Sequence, residues 1–211
     1  MAMNTPIKVP SRANRSFVPT VAKSKSFSKE NMYSDSNSFV APKLSADREN
    51  AIPRVAVFLD GSNFFFMQKD ALQWFIDPKK LLAWISQYGD IVDANYYTTV
   101  DNRNDGQVMY MRALSHMGFR VEDKQIEDTE DFDGSVDLDM IIDILTHIDN
   151  FDMAVILSGD SDFARICEVL RARGKRFLVL STKGMVSNEI RRVAGMHYRD
   201  IAELRKEIEK N

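Results

Sequence analysis

Cysteine is almost missing from this sequence: Cys167 stands alone in 211 residues. One thiol excludes an internal disulfide and a cysteine-built zinc site, and it suits a reducing compartment. Histidine is nearly as scarce, with His116, His147 and His197 scattered along the chain. Any metal bound here therefore has to be held by oxygen ligands. No apolar run approaches the roughly 18 residues that read as a membrane span. No Ser-His-Asp order, Cys-His pair or GxxxxGK[ST] loop is present either. What remains is an ordinary globular composition, 44% hydrophobic and 28% charged.

The net charge of −3 conceals two unlike parts. Residues 1–50 carry eight Lys/Arg and four Asp/Glu, whereas the rest carries 20 and 27. The first 50 residues hold Pro6, Pro10, Pro19 and Pro42, many serines, and no sustained hydrophobic period. Such a stretch buries too little apolar surface to offset chain entropy, so residues 1–50 are expected to be a disordered basic tail. Its early part, rich in Ser, Arg and Lys and free of acids before Glu30, also has the look of an organelle transit peptide. A cytoplasmic location is expected, with organelle targeting as the alternative.

From residue 51 onward the pattern is that of one α/β domain. Val55–Leu59, Ile91–Val100, Phe119–Val121, Met153–Leu157 and Phe177–Leu180 read as strands. Helices are expected over Pro78–Tyr88, Gln107–Met117, Asp162–Arg173 and from Asn188 onward. Leu138, Ile141, Ile142, Leu145 and Ile148 fall at helical spacing and are expected to be a buried face. An acidic loop is expected over Glu127–Gly134. Strand and helix alternate throughout, so the prediction is a three-layer fold, a mainly parallel sheet flanked by helices.

In an open parallel sheet, ligands gather beyond the carboxyl ends of the strands. Two strands end there in polar punctuation: Leu59-Asp60-Gly61-Ser62-Asn63 and Leu157-Ser158-Gly159-Asp160-Ser161-Asp162. One helix cap needs one such residue, and the second motif supplies two aspartates and two serines. Asp137, after Gly134-Ser135-Val136, is expected to point back over the same edge. Carboxylates converging in one cleft repel one another unless a cation compensates. A hard divalent ion, Mg²⁺ or Mn²⁺, does so with oxygen ligands and acidifies a water for phosphodiester hydrolysis. Asp139 and Asp143 share a helix face that needs no explanation if solvated, the reading taken for Asp139. Phe64–Met67 read as core, and Arg171, Arg173, Lys175 and Arg176 as a turn away from the cleft. Arg165, Arg191 and Arg192 are better placed to meet a phosphate.

The segments LDGSN (59–63), VDLDMIID (136–143) and ILSGDSDF (156–163) resemble the NYN domain. The likeness is to its LabA-like branch within the PIN-like nuclease superfamily, and it runs from about Val55 to Leu204. It implies a parallel sheet flanked by helices and a Mg²⁺- or Mn²⁺-dependent ribonuclease chemistry. Carried over position by position, Asp60, Asp137, Asp160 and Asp162 become the metal-binding, catalytic acids. Asn63 becomes a polar contact to the site or the substrate, and Ser158 and Ser187 are further candidates at the same edge that also read as turn and cap residues. Arg165 is a candidate substrate contact by its placement, not by the resemblance. Members of the branch carry a lysine before the position of Asp137, where this chain has Phe132-Asp133-Gly134; Lys124 is the nearest remaining cation. Three functions stay open: an RNA endonuclease, a non-catalytic regulator that binds RNA or protein, and a hydrolase of small phosphate esters. RNA is the expected partner, with protein partners through the tail and a homodimer also open, and no membrane.

Overall fold

A computed structural model describes residues 51–101, 103–125 and 136–210. The tail expected over 1–50 and the acidic loop expected over 127–134 lie outside the described residues. The chain runs through β1 (Arg54–Asp60), α1 (Gly61–Phe66), a π-helical segment Met67–Leu72, α2 (Pro78–Ile85) and β2 (Asp90–Val100). It continues with α3 (Asp105–His116), β3 (Arg120–Gln125), α4 (Val136–Thr146), β4 (Met153–Leu157) and α5 (Asp162–Ala172). Then follow β5 (Arg176–Ser181), α6 (Asn188–Ala194), β6 (Tyr198–Asp200) and α7 (Arg205–Ile208).

Among the described residues the strands form a single six-stranded sheet in the order β3-β2-β1-β4-β5-β6, all parallel. Both faces are covered. Val55, Val57 and Leu59 pack with Phe64, Leu81, Ile85, Leu114 and Ile208 on one side. Ala56 and Phe58 pack with Met140, Ile144, Phe163, Cys167 and Ile190 on the other. Alternation along β1 thus serves two hydrophobic layers, which is why its sequence is apolar at every position from Val55 to Leu59. From β1 the chain winds outward in one direction to β2 and β3, and it returns to build β4, β5 and β6 on the other. The reversal between β1 and β4 opens a crevice at the carboxyl edge.

The N-terminal edge is pinned by ions. Arg54, at the start of β1, donates from Nη2 and Nε to the Asp152 carboxylate at 2.9 and 3.1 Å, just before β4. This fork holds the Asp152 carboxyl down at about 2. The basic turn sits at this same edge, with Lys175 Nζ donating to the Phe151 carbonyl at 2.8 Å.

Three expectations need correction. On α4 the buried positions are Met140 and Ile144, whereas Leu138, Ile142 and Leu145 are exposed at 53%, 50% and 41%. The helix is apolar around most of its girth, so spacing alone did not fix which stripe meets the sheet. Of the aromatic run, Phe64 and Met67 are core, but Phe65 and Phe66 are 49% and 46% exposed. The C-terminal region is not continuously helical. Gly195 at φ 55 ends α6, and Tyr198–Asp200 then adds β6, pairing with Val179–Ser181.

Candidate functional site

Asp60 is the last residue of β1 and the N-cap of α1. Its Oδ1 accepts the Asn63 backbone N–H at 2.9 Å. Its Oδ2 accepts the Ser158 hydroxyl at 2.9 Å. The second motif is tied to the first at one more point: Gly159 N–H donates to Asn63 Oδ1 at 3.2 Å. The polar ends of β1 and β4 therefore form one interlocked unit, as adjacency of the two strands requires.

Both glycines in these motifs are needed for close approach. A Cβ on Gly61 would stand 2.7 Å from the Tyr96 ring and 2.8 Å from the Tyr97 carbonyl oxygen. A Cβ on Gly159 would stand 2.2 Å from the Met185 carbonyl oxygen. Gly159 also accepts the Ser187 N–H at 2.8 Å, which draws the segment after β5 onto the motif after β4.

The crevice is a cavity of about 580 Å³. Asp60, Asn63 and Asp160 line it, joined by Asp137 from the first turn of α4. Four further lining residues matter: Phe66 and Asp70 from the helix after β1, Thr99 from β2, and Met185 from beyond β5. Asp70 and Thr99 do not stand out as site residues in the sequence. Asp70 lies ten residues after Asp60, just under three helical turns on, and that spacing was its only signal. Thr99 carried none, because β2 reaches the site only through sheet pairing.

The other expected site residues do not line the cavity, although Ser158, Asp162 and Ser187 are bonded to residues of its two motifs. Ser158 is fully buried, and its hydroxyl is spent on positioning Asp60 while accepting the Asp160 N–H at 3.2 Å. Asp162 opens α5, exposed and outside the cavity lining. Its backbone N–H donates to Asp160 Oδ1 at 3.1 Å, so Asp160 supplies the capping contact. Ser187 caps α6 by accepting the Ile190 N–H. Arg165 is exposed and pairs with Glu168 at 2.7 Å. Asp139 and Asp143 are both partnered: Lys124 pairs with the half-exposed Asp139 at 2.6 Å, and Tyr97 OH donates to Asp143 at 2.9 Å.

Burial pushes the Asp60 carboxyl above the usual carboxylate range. The bonds from Asn63 and Ser158 pull it back in part, and the neighbouring Asp160 charge adds to the rise. A raised carboxylate beside a second one is an arrangement that a cation would relieve. Among the described residues no three acidic, histidine or cysteine side chains converge tightly enough to enclose an ion by themselves. The donors fit Mg²⁺ all the same, because it is commonly held by one or two carboxylates and fills its other positions with water and substrate oxygens.

Comparison with known proteins then decides the family. The NYN domain family model matches residues 54–202. This chain belongs to the NYN domain family. The NYN domain here is 32% identical over 167 aligned positions to the low amplitude and bright protein LabA of Synechococcus elongatus, covering 74% of this chain and 88% of LabA. Its fold is shared by a protein of unknown function from Vibrio parahaemolyticus, seen by crystallography, with a TM-score of 0.64 and 20% identity. That match covers 72% of this chain and 94% of the other. No described helix of the NYN domain is long and apolar enough to cross a membrane.

Proposed function

We propose that this NYN domain is a divalent-metal-dependent ribonuclease that hydrolyses phosphodiester bonds at the Asp60–Asp160 crevice. One observation carries the reading: Asp60, Asp137 and Asp160, from three separate stretches of chain, line one cavity at the carboxyl edge of the sheet. Asp60 and Asp160 are the residues that would hold Mg²⁺ or Mn²⁺, with Asp137 facing them. When bound, such a cation supplies the Lewis acidity that phosphodiester hydrolysis needs. The chain's own part is to fix these carboxylates. Ser158 and the Asn63 N–H orient both oxygens of Asp60, and the Asp162 N–H orients Asp160. Asn63 reaches the cavity from a side chain already anchored to Gly159, a suitable contact for a substrate hydroxyl or phosphate oxygen.

The test is cleavage of assorted RNAs by purified protein in Mg²⁺ or Mn²⁺. Turnover by wild type that disappears in Asp60→Asn and Asp160→Asn supports the proposal. Equal turnover by all three rejects it.

A second reading, a domain that binds RNA or a protein without cutting, is favoured by one feature. Both oxygens of Asp60 already serve the fold, and no enclosing set of three ligands stands among the described residues. RNA binding that is indifferent to metal, without turnover, would decide for it.

A further inference from the structure

The helix after β1 turns two phenylalanines outward. Phe64, Met67 and Gln68 face the interior at i, i+3 and i+4, which leaves Phe65, Phe66, Lys69 and Asp70 on the other face. Phe66 keeps 46% of its surface in solvent and lines the aspartate cavity. Phe65 meets it edge to face, with ring centroids 5.4 Å apart. Single exposed apolar side chains need no explanation. Two adjacent exposed rings in contact, one of them lining the cavity, call for one.

We infer that Phe66 is a stacking platform for an unpaired base of a single-stranded RNA whose backbone enters the cavity between Asp60 and Asp160. The inference rests on the proposed reading of that cavity as an RNA site, and it specifies the form of RNA taken.

Three observations support it. The first is charge. Asp60, Asp70, Asp137 and Asp160 all line the cavity, so protein charge there repels a phosphate backbone except where a bound cation offsets it. Affinity has to come from contacts that tolerate an acidic wall. An aromatic face does, because every base presents a π-surface and stacking needs no charge. The second is a cation beside the neighbouring ring: Lys69 Nζ stands 5.7 Å from the Phe65 ring centroid. An ammonium there can meet the phosphate beside the stacked base without entering the acidic cleft.

The third is rigidity. Gln68, 6% exposed, donates from Nε2 to the Phe64 carbonyl at 3.0 Å and accepts the Ile76 N–H at 2.8 Å. These bonds fix the backbone on both sides of the π-helical segment, a feature often found at functional sites. The backbone that carries the ring is thereby held, so less of it has to be ordered on binding. The cavity volume of about 580 Å³ falls within the range that takes a ligand of nucleotide size. A duplex keeps its base faces inside its own stack, so the platform selects single strands, loops and ends.

The experiment compares a labelled oligoribonucleotide of about 12 nucleotides, single-stranded or in a duplex, by fluorescence anisotropy with Ca²⁺ present. Full-length wild type, Phe66→Ala, Phe66→Trp and Lys69→Ala are measured. Phe66→Ala is expected to weaken single-strand binding about tenfold and to leave duplex binding unchanged. Phe66→Trp is expected to retain affinity. Its indole emission should be quenched by the single strand, beyond any change that Trp74 and Trp84 give in wild type, and not by the duplex. Lys69→Ala should lower the salt dependence by about one phosphate contact. Single-strand affinity that ignores Phe66→Ala, or an unquenched tryptophan at this position, overturns the platform while leaving the ribonuclease reading intact. A wild type that binds neither form of RNA overturns both.

Discussion

Ser158 Oγ donates to Oδ2 of Asp60 at 2.9 Å across 98 residues of chain. The pairing joins the ends of β1 and β4, and it sets the electrostatic state of the most buried acid in the crevice. The bond favours the ionised carboxylate against the pull of burial. Ser158→Ala is therefore expected to push the Asp60 carboxyl higher still and to move the acid limb of any cleavage profile toward higher pH. It should also cost about 1–3 kcal/mol, because Oδ2 and the Asp160 N–H both lose their partner. Denaturant melts and a pH–rate profile would show both effects; an unmoved acid limb contradicts the assignment.

Asp60 itself should be a stability liability. Its folded pKa is raised, so the native state holds this proton more tightly than the unfolded chain does. The resulting stability is complete below the ordinary carboxylate value of about 3.9 and is lost as pH rises through the folded value. At neutral pH the buried charge opposes folding. Asp60→Asn should melt above wild type at pH 7, with the advantage shrinking toward pH 4, while activity disappears. Thermal melts across that interval check the sign. A variant that melts below wild type at pH 7 would refute it.

Divalent metal should act through the same residue. Mg²⁺ or Mn²⁺ is expected to raise the wild-type melting temperature and to do so much less in Asp60→Asn and Asp160→Asn. Calorimetric titration gives an independent reading. Identical metal responses in all three proteins would remove Asp60 and Asp160 as ligands.

Gly159→Ala places a methyl carbon 2.2 Å from the Met185 carbonyl oxygen, a backbone atom with little room to yield. The segment from Thr182 to Ser187 has to move, and the Ser187-to-Gly159 hydrogen bond goes with it. A loss of about 1–3 kcal/mol is expected, as for other overpacked sites. Hydrogen exchange at Ser187 should rise ahead of global unfolding; unchanged protection there argues against the latch.

At the opposite edge, the Arg54–Asp152 fork should contribute only about 1 kcal/mol, because both side chains remain about a third exposed. The Asp152 carboxyl is depressed to about 2. Its stabilisation is thus present above the ordinary carboxylate value and is lost as pH falls toward 2. Asp152→Asn should remove it at neutral pH, and the two proteins should converge in acid. Chemical denaturation at pH 7 and pH 2 makes the comparison.

Much of the architecture was legible because strands buried on both faces leave unbroken apolar runs, and Val55–Leu59 and Met153–Leu157 are such runs. The two motifs at their ends located the crevice for the same reason: parallel strands deliver their carboxyl ends to one edge. What escaped was whatever depended on rotation about an axis. On α4, apolar residues occupy most positions from Leu138 to Leu145, so two stripes competed and packing against the sheet chose Met140 and Ile144. Three consecutive phenylalanines cannot all face inward at 100° per residue, yet sequence does not say that the outward pair borders a cleft. The spacing of Asp160 and Asp162 does not say which of the two lines the crevice; Asp160 does, and it also accepts the Asp162 N–H at the start of α5. β6 is three residues, Tyr-Arg-Asp, too short and too polar to betray a strand.

The strand order also has a consequence for biosynthesis. After Asp60 has emerged, β4 can pair with β1 only when nearly a hundred further residues have been made. Until then the crevice has no second wall, and no shorter translation product can bring Asp60 and Asp160 together. Whatever chemistry these acids perform is withheld from the growing chain and arrives at once, when the central strands close.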